Sequence, residues 1–207
     1  MVVAGTPNPT LDLYCALMEE VKLRILSIDT IMLNGAALKL PGAIAQEFGF
    51  LQVRLACEVI ALACLVAHGD IKAAQAPKVM KEWAADKIMA ELDRLHPRFF
   101  PRPITATRTP QGQLHIQERR AEVLTKEEFT KLYARCGGFL HRGSAKKLLA
   151  ARQPIQIQFP ELAKWRDKML ALLDTHHILS LDGQHHILCN IAPFGEPVTA
   201  AFATTPL

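Results

Sequence analysis

The most uniformly apolar part of the chain is residues 48–68, where hydrophobic side chains would occupy nearly every side of a helix. A helix of this kind must be surrounded by other elements. Gln52, Arg54 and Glu58 interrupt the apolar run, and the remainder, 59–67, is too short to cross a bilayer. The pattern therefore predicts the central helix of a soluble domain rather than a membrane span.

The flanking segments also show helical periodicity. A first helix is predicted to begin at Asn8-Pro9-Thr10 and to end at Asn34-Gly35, and the central helix is expected over 44–71. The short link between them predicts an antiparallel pair. A third helix is predicted from Pro77 to just before Pro97. Its expected buried stripe comprises Met80, Trp83, Ala84, Ile88, Leu92 and Leu95.

The apolar pattern becomes alternating after Pro101. The runs ITATR and LHIQE flank a turn-forming cluster at 109–112, which predicts a β-hairpin. Near the end of the chain, HHILSL and QHHILCNI flank Asp182-Gly183, a strong hairpin signal. A third strand over 198–202 is expected to pair with this second hairpin.

Two helices are predicted between the hairpins. Thr125 and Glu128 form a capping box, with Leu124 and Phe129 placed as a hydrophobic staple. This helix is expected to weaken or bend at Gly137-Gly138. A second helix is predicted from Pro160, and the side chains expected to face the core are Leu162, Trp165, Met169 and Leu172.

Together these elements predict a mainly α fold of the α+β class. We expect an antiparallel helical bundle with an inserted β-hairpin and a small C-terminal antiparallel β-sheet. The bundle is assigned to residues 1–175 with the hairpin near 101–118, and residues 176–207 are assigned to a β appendage packed on the same domain. The chain has 207 residues, half of them hydrophobic, which is enough to bury a sizeable core.

The cysteines and the N-terminus indicate the cellular compartment in which the chain is expected. There are five cysteines, an odd number without CxxC spacing, mostly in apolar helical contexts. Such cysteines are typical of the reduced core of a cytoplasmic protein. The first ten residues have no basic segment followed by an apolar one, so no secretory signal is predicted.

Charge is distributed unevenly along the chain, although the net charge is only +4. Between Glu128 and Glu161 there is no acidic residue but there are six basic ones: Lys131, Arg135, Arg142, Lys146, Lys147 and Arg152. This pattern is expected of a surface that binds anions or nucleic acid. Ser144 can cap a short helix over 146–151, whose first N–H groups would also favour phosphate.

Arg135 and His141 stand out within this basic stretch, six residues apart. In an unbroken helix they would be about 240° apart in projection, so they converge only if the backbone bends between them. Arg135 is expected at the edge of the core, within reach of a phosphate or of Glu58. The structural alternative is a helix C-terminus where basic side chains satisfy exposed carbonyls.

The polar residues of the central helix need partners as well. Arg54 and Glu58 can pair one helical turn apart. A carboxylate in an apolar bundle requires a cation, and the candidates for Glu58 are Arg54 and Arg135. A buried ion pair that fixes packing is the alternative to a role in a functional site.

The spacing of Arg135 and His141 at the end of a late helix resembles the R-x(4-6)-H signature of HEPN-domain proteins. The resemblance implies an antiparallel helical bundle, commonly a homodimer, and a metal-independent ribonuclease of a toxin or phage-defence type without cofactor. It also implies that His141 acts as general acid or base, that Arg135 stabilises the phosphate charge and that Glu58 gives support. Cys136 stands where active members often carry a polar residue.

One other interpretation of the function remains open. The chain could be a non-catalytic helical module that binds a protein or a nucleotide, with the hairpins presenting the contact surface.

Two histidine pairs and Cys189 also suggest zinc binding. If Asp182-Gly183 is a two-residue turn, Ser180 opposes His185 and His176 opposes Cys189, which separates the candidates. No metal site is therefore predicted.

Overall fold

The computed structural model describes residues 8–35, 37–108, 114–119, 122–140 and 157–204. The helices in these ranges are α1 (Pro9–Asn34), α2 (Gly42–Ala67), α3 (Pro77–Met80), α4 (Ala85–Leu95), α5 (Lys126–Leu140) and α6 (Phe159–Leu173). The strands are β1 (Arg102–Arg108), β2 (Leu114–Glu118), β3 (Thr175–Leu179), β4 (His185–Asn190) and β5 (Thr199–Thr204). The fold is α+β and mainly helical, as predicted.

The first helix begins where the sequence predicts. The side chain of Asn8 accepts hydrogen bonds from the N–H groups of Thr10 at 3.0 Å and Leu11 at 3.2 Å, which satisfies two donors of the first turn. The helix ends at Asn34, and α2 returns alongside it. The two form the most extensive helix pair of the bundle.

Helix α2 is the centre of the fold, although it ends at Ala67 rather than near Ile71. It contacts α1, α4, α5 and α6. The helix is long and apolar enough to cross a membrane, but 61% of its most apolar stretch is buried inside the fold. Burial by surrounding helices is what a core helix of a soluble protein requires.

The predicted third helix is wrong as a single element, because the chain forms α3 and α4 instead. Glu82 accepts hydrogen bonds from the N–H groups of Trp83 at 3.1 Å and Ala84 at 3.0 Å, and these local bonds replace helical ones. Met80 and Trp83 were expected to be buried, but 53% and 65% of their surfaces are exposed.

Helix α5 has the predicted capping box. Thr125 accepts from the N–H of Glu128, and Glu128 accepts from the N–H of Thr125, both at 3.2 Å. The expected weakening at Gly137-Gly138 is not observed, because the helix continues through both glycines to Leu140. The Phe139 ring stacks on Phe50 of α2 at 3.7 Å between centroids and packs this last turn against the bundle.

The strands form one antiparallel sheet in the order β2-β1-β3-β4-β5. The two predicted hairpins are therefore parts of the same sheet, since Arg102 and Pro103 of β1 pair with β3. The predicted register of the second hairpin is confirmed: His176 opposes Cys189, and the N–H of Ser180 donates to the His185 carbonyl at 2.9 Å. The sheet packs against α1 and α6.

Candidate functional site

Arg135 lies on the outer side of α5, with 50% of its side chain exposed. Its Nε and Nη2 atoms donate to the two carboxylate oxygens of Glu161 at 3.1 and 3.0 Å, and Nη2 also donates to the Gln158 side chain at 3.0 Å. These bonds lower the pKa of the Glu161 carboxyl below its usual value. Arg135 is thus more exposed than expected, because its long side chain extends towards the start of α6.

Glu58 has a different cation. The Arg54 Nε atom lies 3.3 Å from a Glu58 carboxylate oxygen. Arg54 Nη2 donates to the Tyr133 hydroxyl at 2.7 Å, and that hydroxyl donates to the same Glu58 oxygen at 3.0 Å. We call these three side chains the Arg54–Glu58–Tyr133 network. It joins α2 to α5, and within the described residues no hydrogen bond or ion pair links Glu58 to Arg135.

The network lies at the boundary of the core. The Arg54 and Glu58 side chains are 22% and 19% exposed, while Tyr133 is 5% exposed. Burial, together with the hydrogen bond to Glu58, raises the pKa of Tyr133 to about 12. The hydroxyl is therefore neutral at ordinary pH and serves as a donor to the carboxylate.

Two residues near the end of α5 complete this region. A Cβ atom placed on Gly137 would lie 3.4 Å from Arg54 Nη1, so α5 brings a position without a side chain next to the guanidinium. Cys136 is fully buried, and burial raises the pKa of its thiol to about 12. A neutral buried thiol has neither the charge nor the access needed for nucleophilic chemistry.

Most of the predicted basic surface lies outside the described residues. This applies to His141, Arg142, Ser144, Lys146, Lys147 and Arg152. Lys131 is on α5 and exposed. His141 directly follows Leu140, the last described residue of α5, so the chain position of the motif histidine adjoins the helix that carries Arg135 and Tyr133.

A cleft of about 510 Å³ lies at another place, between the β3–β4 hairpin, the start of α1 and the end of α2. Its lining includes Ala67, Asp70, Ile178, His185, Ile187 and Phe202. The volume is within the usual range for small-ligand sites. Sequence reasoning missed it because three elements far apart in the chain form its walls.

The hairpin turn at this cleft is internally hydrogen bonded. Asp182 accepts from the Ser180 hydroxyl at 2.5 Å and from His185 Nδ1 at 2.9 Å. The Ser180 bond is the main cause of a pKa for the Asp182 carboxyl well below its usual value. These contacts account for the conformation of the turn.

The histidines considered for zinc have other contacts. His176 Nδ1 donates to the Leu173 carbonyl at 2.8 Å, and its Nε2 is 2.6 Å from the Tyr14 hydroxyl. His177 stacks on His186 on the opposite face of the sheet. Within the described part of the chain, no group of three or more His, Cys, Asp or Glu side chains is arranged to hold a metal ion.

Comparison of the chain with known protein families, with curated proteins and with solved structures found no match. The functional argument therefore depends on the residues and their contacts.

Proposed function

We propose that this chain is an HEPN-like, cytoplasmic RNA-binding protein that cleaves RNA without a metal ion, in a toxin or phage-defence role. The observation that carries the proposal is the composition of α5. This helix holds Arg135 half-exposed and is braced on α2 through Tyr133, and its last described residue, Leu140, precedes His141 in sequence. Six basic residues and no acidic ones between Glu128 and Glu161 support an anionic substrate.

In this proposal His141 moves the protons and Arg135 stabilises negative charge. The ribose 2′-oxygen attacks the phosphorus as the bond from phosphorus to the 5′-oxygen breaks. His141 takes the 2′-hydroxyl proton or gives a proton to the leaving oxygen, and water exchanges the other proton. Arg135 faces the developing charge on the phosphate. A phosphate bound by Arg135 would share the guanidinium with Glu161, which accepts hydrogen bonds from Nε and Nη2.

The test is a ribonuclease assay on the purified chain with and without EDTA. His141→Ala should reduce cleavage by at least about 100-fold, the usual range for loss of a general acid or base, while EDTA should have no effect. His115→Ala is the matched control, because this exposed histidine lies on β2, in the sheet. Cleavage that survives His141→Ala, or that EDTA abolishes, would contradict the proposal.

We propose further that the chain is a homodimer. α2 carries Ile44, Phe48 and Leu51 with 47%, 40% and 37% of their surfaces exposed, an apolar row at helical spacing. A second copy would cover such a row, and symmetric dimers are the commonest assemblies of soluble chains.

The cleft favours a second candidate, a non-catalytic module that binds a small molecule or a peptide at the hairpin. Ile187 is 4% exposed and lines this cleft. Under this alternative, RNA is not cleaved, and Phe202→Asp at the exposed rim should weaken ligand binding without affecting α5. Under the main proposal, Phe202→Asp should leave RNA cleavage unchanged.

A further inference from the structure

Within the described residues, the guanidinium group of Arg54 is held by protein contacts at two of its three nitrogens. Nε contacts Glu58, Nη2 donates to the Tyr133 hydroxyl, and the guanidinium carbon lies 4.1 Å from the centroid of the Tyr133 ring. Nη1 has no hydrogen-bond partner within the described part of the chain. The Arg54 side chain is 22% exposed, which places it at the boundary of the core.

The open nitrogen lies beside a glycine. A Cβ on Gly137 of α5 would lie 3.4 Å from Nη1, whereas a Cβ on Gly138 would meet no atom of the described chain within 4 Å. Any larger side chain at position 137 would extend over the guanidinium. Among the described residues of α5, the neighbour of Nη1 is therefore a glycine rather than a side chain.

We propose that Arg54 binds a phosphate oxygen of the RNA backbone through Nη1, and that Glu58 and Tyr133 are positioning residues for it. This inference rests on the proposed function, and it assigns Arg54 direct contact with the substrate. A guanidinium fixed by a carboxylate, a hydroxyl and an aromatic face loses little further freedom when it binds, which favours binding.

The two arginines differ in how firmly a carboxylate holds them. Glu161 contacts Arg135 through two oxygens at 3.1 and 3.0 Å, the strong bidentate arrangement. Glu58 contacts Arg54 through one oxygen at 3.3 Å, and that oxygen also accepts from Tyr133. A phosphate therefore competes less with the carboxylate at Arg54 than at Arg135.

The first experiment blocks Nη1 without removing its charge. Binding of a short, fluorescently labelled 2′-O-methyl RNA, which resists cleavage, is measured for Gly137→Leu and Gly138→Leu. A charge-assisted hydrogen bond corresponds to a loss on the order of tenfold, so Gly137→Leu should weaken binding about that much. Gly138→Leu should bind as the wild type does. Circular dichroism confirms that α5 is kept in both variants.

The second experiment removes the charge. Arg54→Gln should weaken RNA binding. It should also reduce the slope of log affinity against log salt concentration by about 1, the value for one phosphate contact. Arg166→Gln is the control, because Arg166 is 24% exposed and also pairs with a carboxylate, Asp29 at 2.9 Å. Equal effects of the paired variants on binding would overturn the inference while leaving RNA cleavage as the function.

A wild-type chain that does not bind RNA would refute the proposed function, and inorganic phosphate then tests the site by itself. The Nε–H resonance of Arg54 should shift when phosphate is added, and Gly137→Leu should abolish the shift. Absence of a shift in the wild type would overturn the assignment of Arg54 as an anion-binding residue.

Discussion

Each arginine of the candidate site has its own carboxylate partner, and this decides how the site can be dissected. Arg54 pairs with Glu58 inside the Arg54–Glu58–Tyr133 network, and Arg135 pairs with Glu161. The sequence left both arginines as candidate ion-pair partners of Glu58. In the structure the Glu58 carboxylate pairs with Arg54. Removal of Glu58 should therefore mainly weaken the packing of α2 against α5.

Double-mutant cycles should reproduce this separation. Urea unfolding of Glu58→Gln, Arg54→Gln and the double variant should give a coupling energy of about 0.5 to 3 kcal/mol, as expected for groups in one hydrogen-bond network. Glu58→Gln and Arg135→Gln should be additive within about 0.5 kcal/mol. Strong coupling in the second pair would show that the two networks are joined.

His176 is one of the buried histidines whose protonation should reduce stability at low pH. It is fully buried between Tyr14 and the end of α6, and burial lowers its pKa from 6.5 to about 4. Between these values the unfolded chain binds a proton that the folded chain does not. Stability is therefore lost as the pH falls from about 6.5 towards about 4.

His176→Gln should reduce this acid sensitivity. The free energy of unfolding, measured in urea at about pH 7 and about pH 4.5, should fall less between the two pH values in the variant than in the wild type. The difference should be on the order of 2 to 3 kcal/mol. His115→Ala, at an exposed histidine, should retain the wild-type decline. An unchanged decline in His176→Gln would contradict the assignment.

At the scale of elements, α2 approaches α6 closely at Gly49. A Cβ atom on Gly49 would overlap a δ-methyl of Leu162, and Leu162 is fully buried with little room to move. The glycine is thus required for the approach of the two helices. This helix contact could not be predicted from the sequence, where Gly49 reads only as a weak helix former.

Gly49→Ala and Gly138→Ala form a matched pair of helix substitutions. In α2, overpacking should lower the stability by about 1 to 3 kcal/mol despite the better helix propensity of alanine. In α5, where no atom of the described residues lies within 4 Å of the added methyl, alanine should raise the stability by about 0.5 to 1 kcal/mol. Chemical unfolding of both variants measures this, and a stabilised Gly49→Ala would refute the close packing.

Features set by local sequence were predictable. The Asn8 cap, the Thr125 and Glu128 capping box and the register at Asp182-Gly183 each follow from neighbouring residues, and all three are confirmed. The break before α4 was missed because it depends on the hydrogen bonds of one side chain, Glu82.

Contacts between distant segments were not predictable in the same way. The pairing of β1 with β3 joins strands between which β2 and the described helices α5 and α6 lie in sequence, and periodicity contains no information about it. The role of Tyr133 could not be predicted from sequence, because its hydroxyl meets Glu58 and Arg54 only when α5 packs on α2. The partner of Arg135, Glu161, lies on another helix for the same reason.

At the scale of the whole molecule, the proposed dimer gives a direct mass prediction. Sedimentation equilibrium should yield about twice the chain mass of 22.9 kDa. Phe48→Glu on the exposed apolar row of α2 should shift the equilibrium towards monomer. Leu13→Glu, at an exposed leucine of α1, should not. A wild-type monomer whose mass is independent of concentration would exclude the dimer.

The central claim is that the chain cleaves RNA through the ribose 2′-hydroxyl, and one measurement tests it most directly. A single-stranded RNA and the same sequence with 2′-O-methyl groups are incubated with the wild-type chain in EDTA, and the products are separated by length. Cleavage of the unmodified RNA alone, lost in His141→Ala, is the predicted result. Equal cleavage of both substrates, or cleavage of neither, would contradict it.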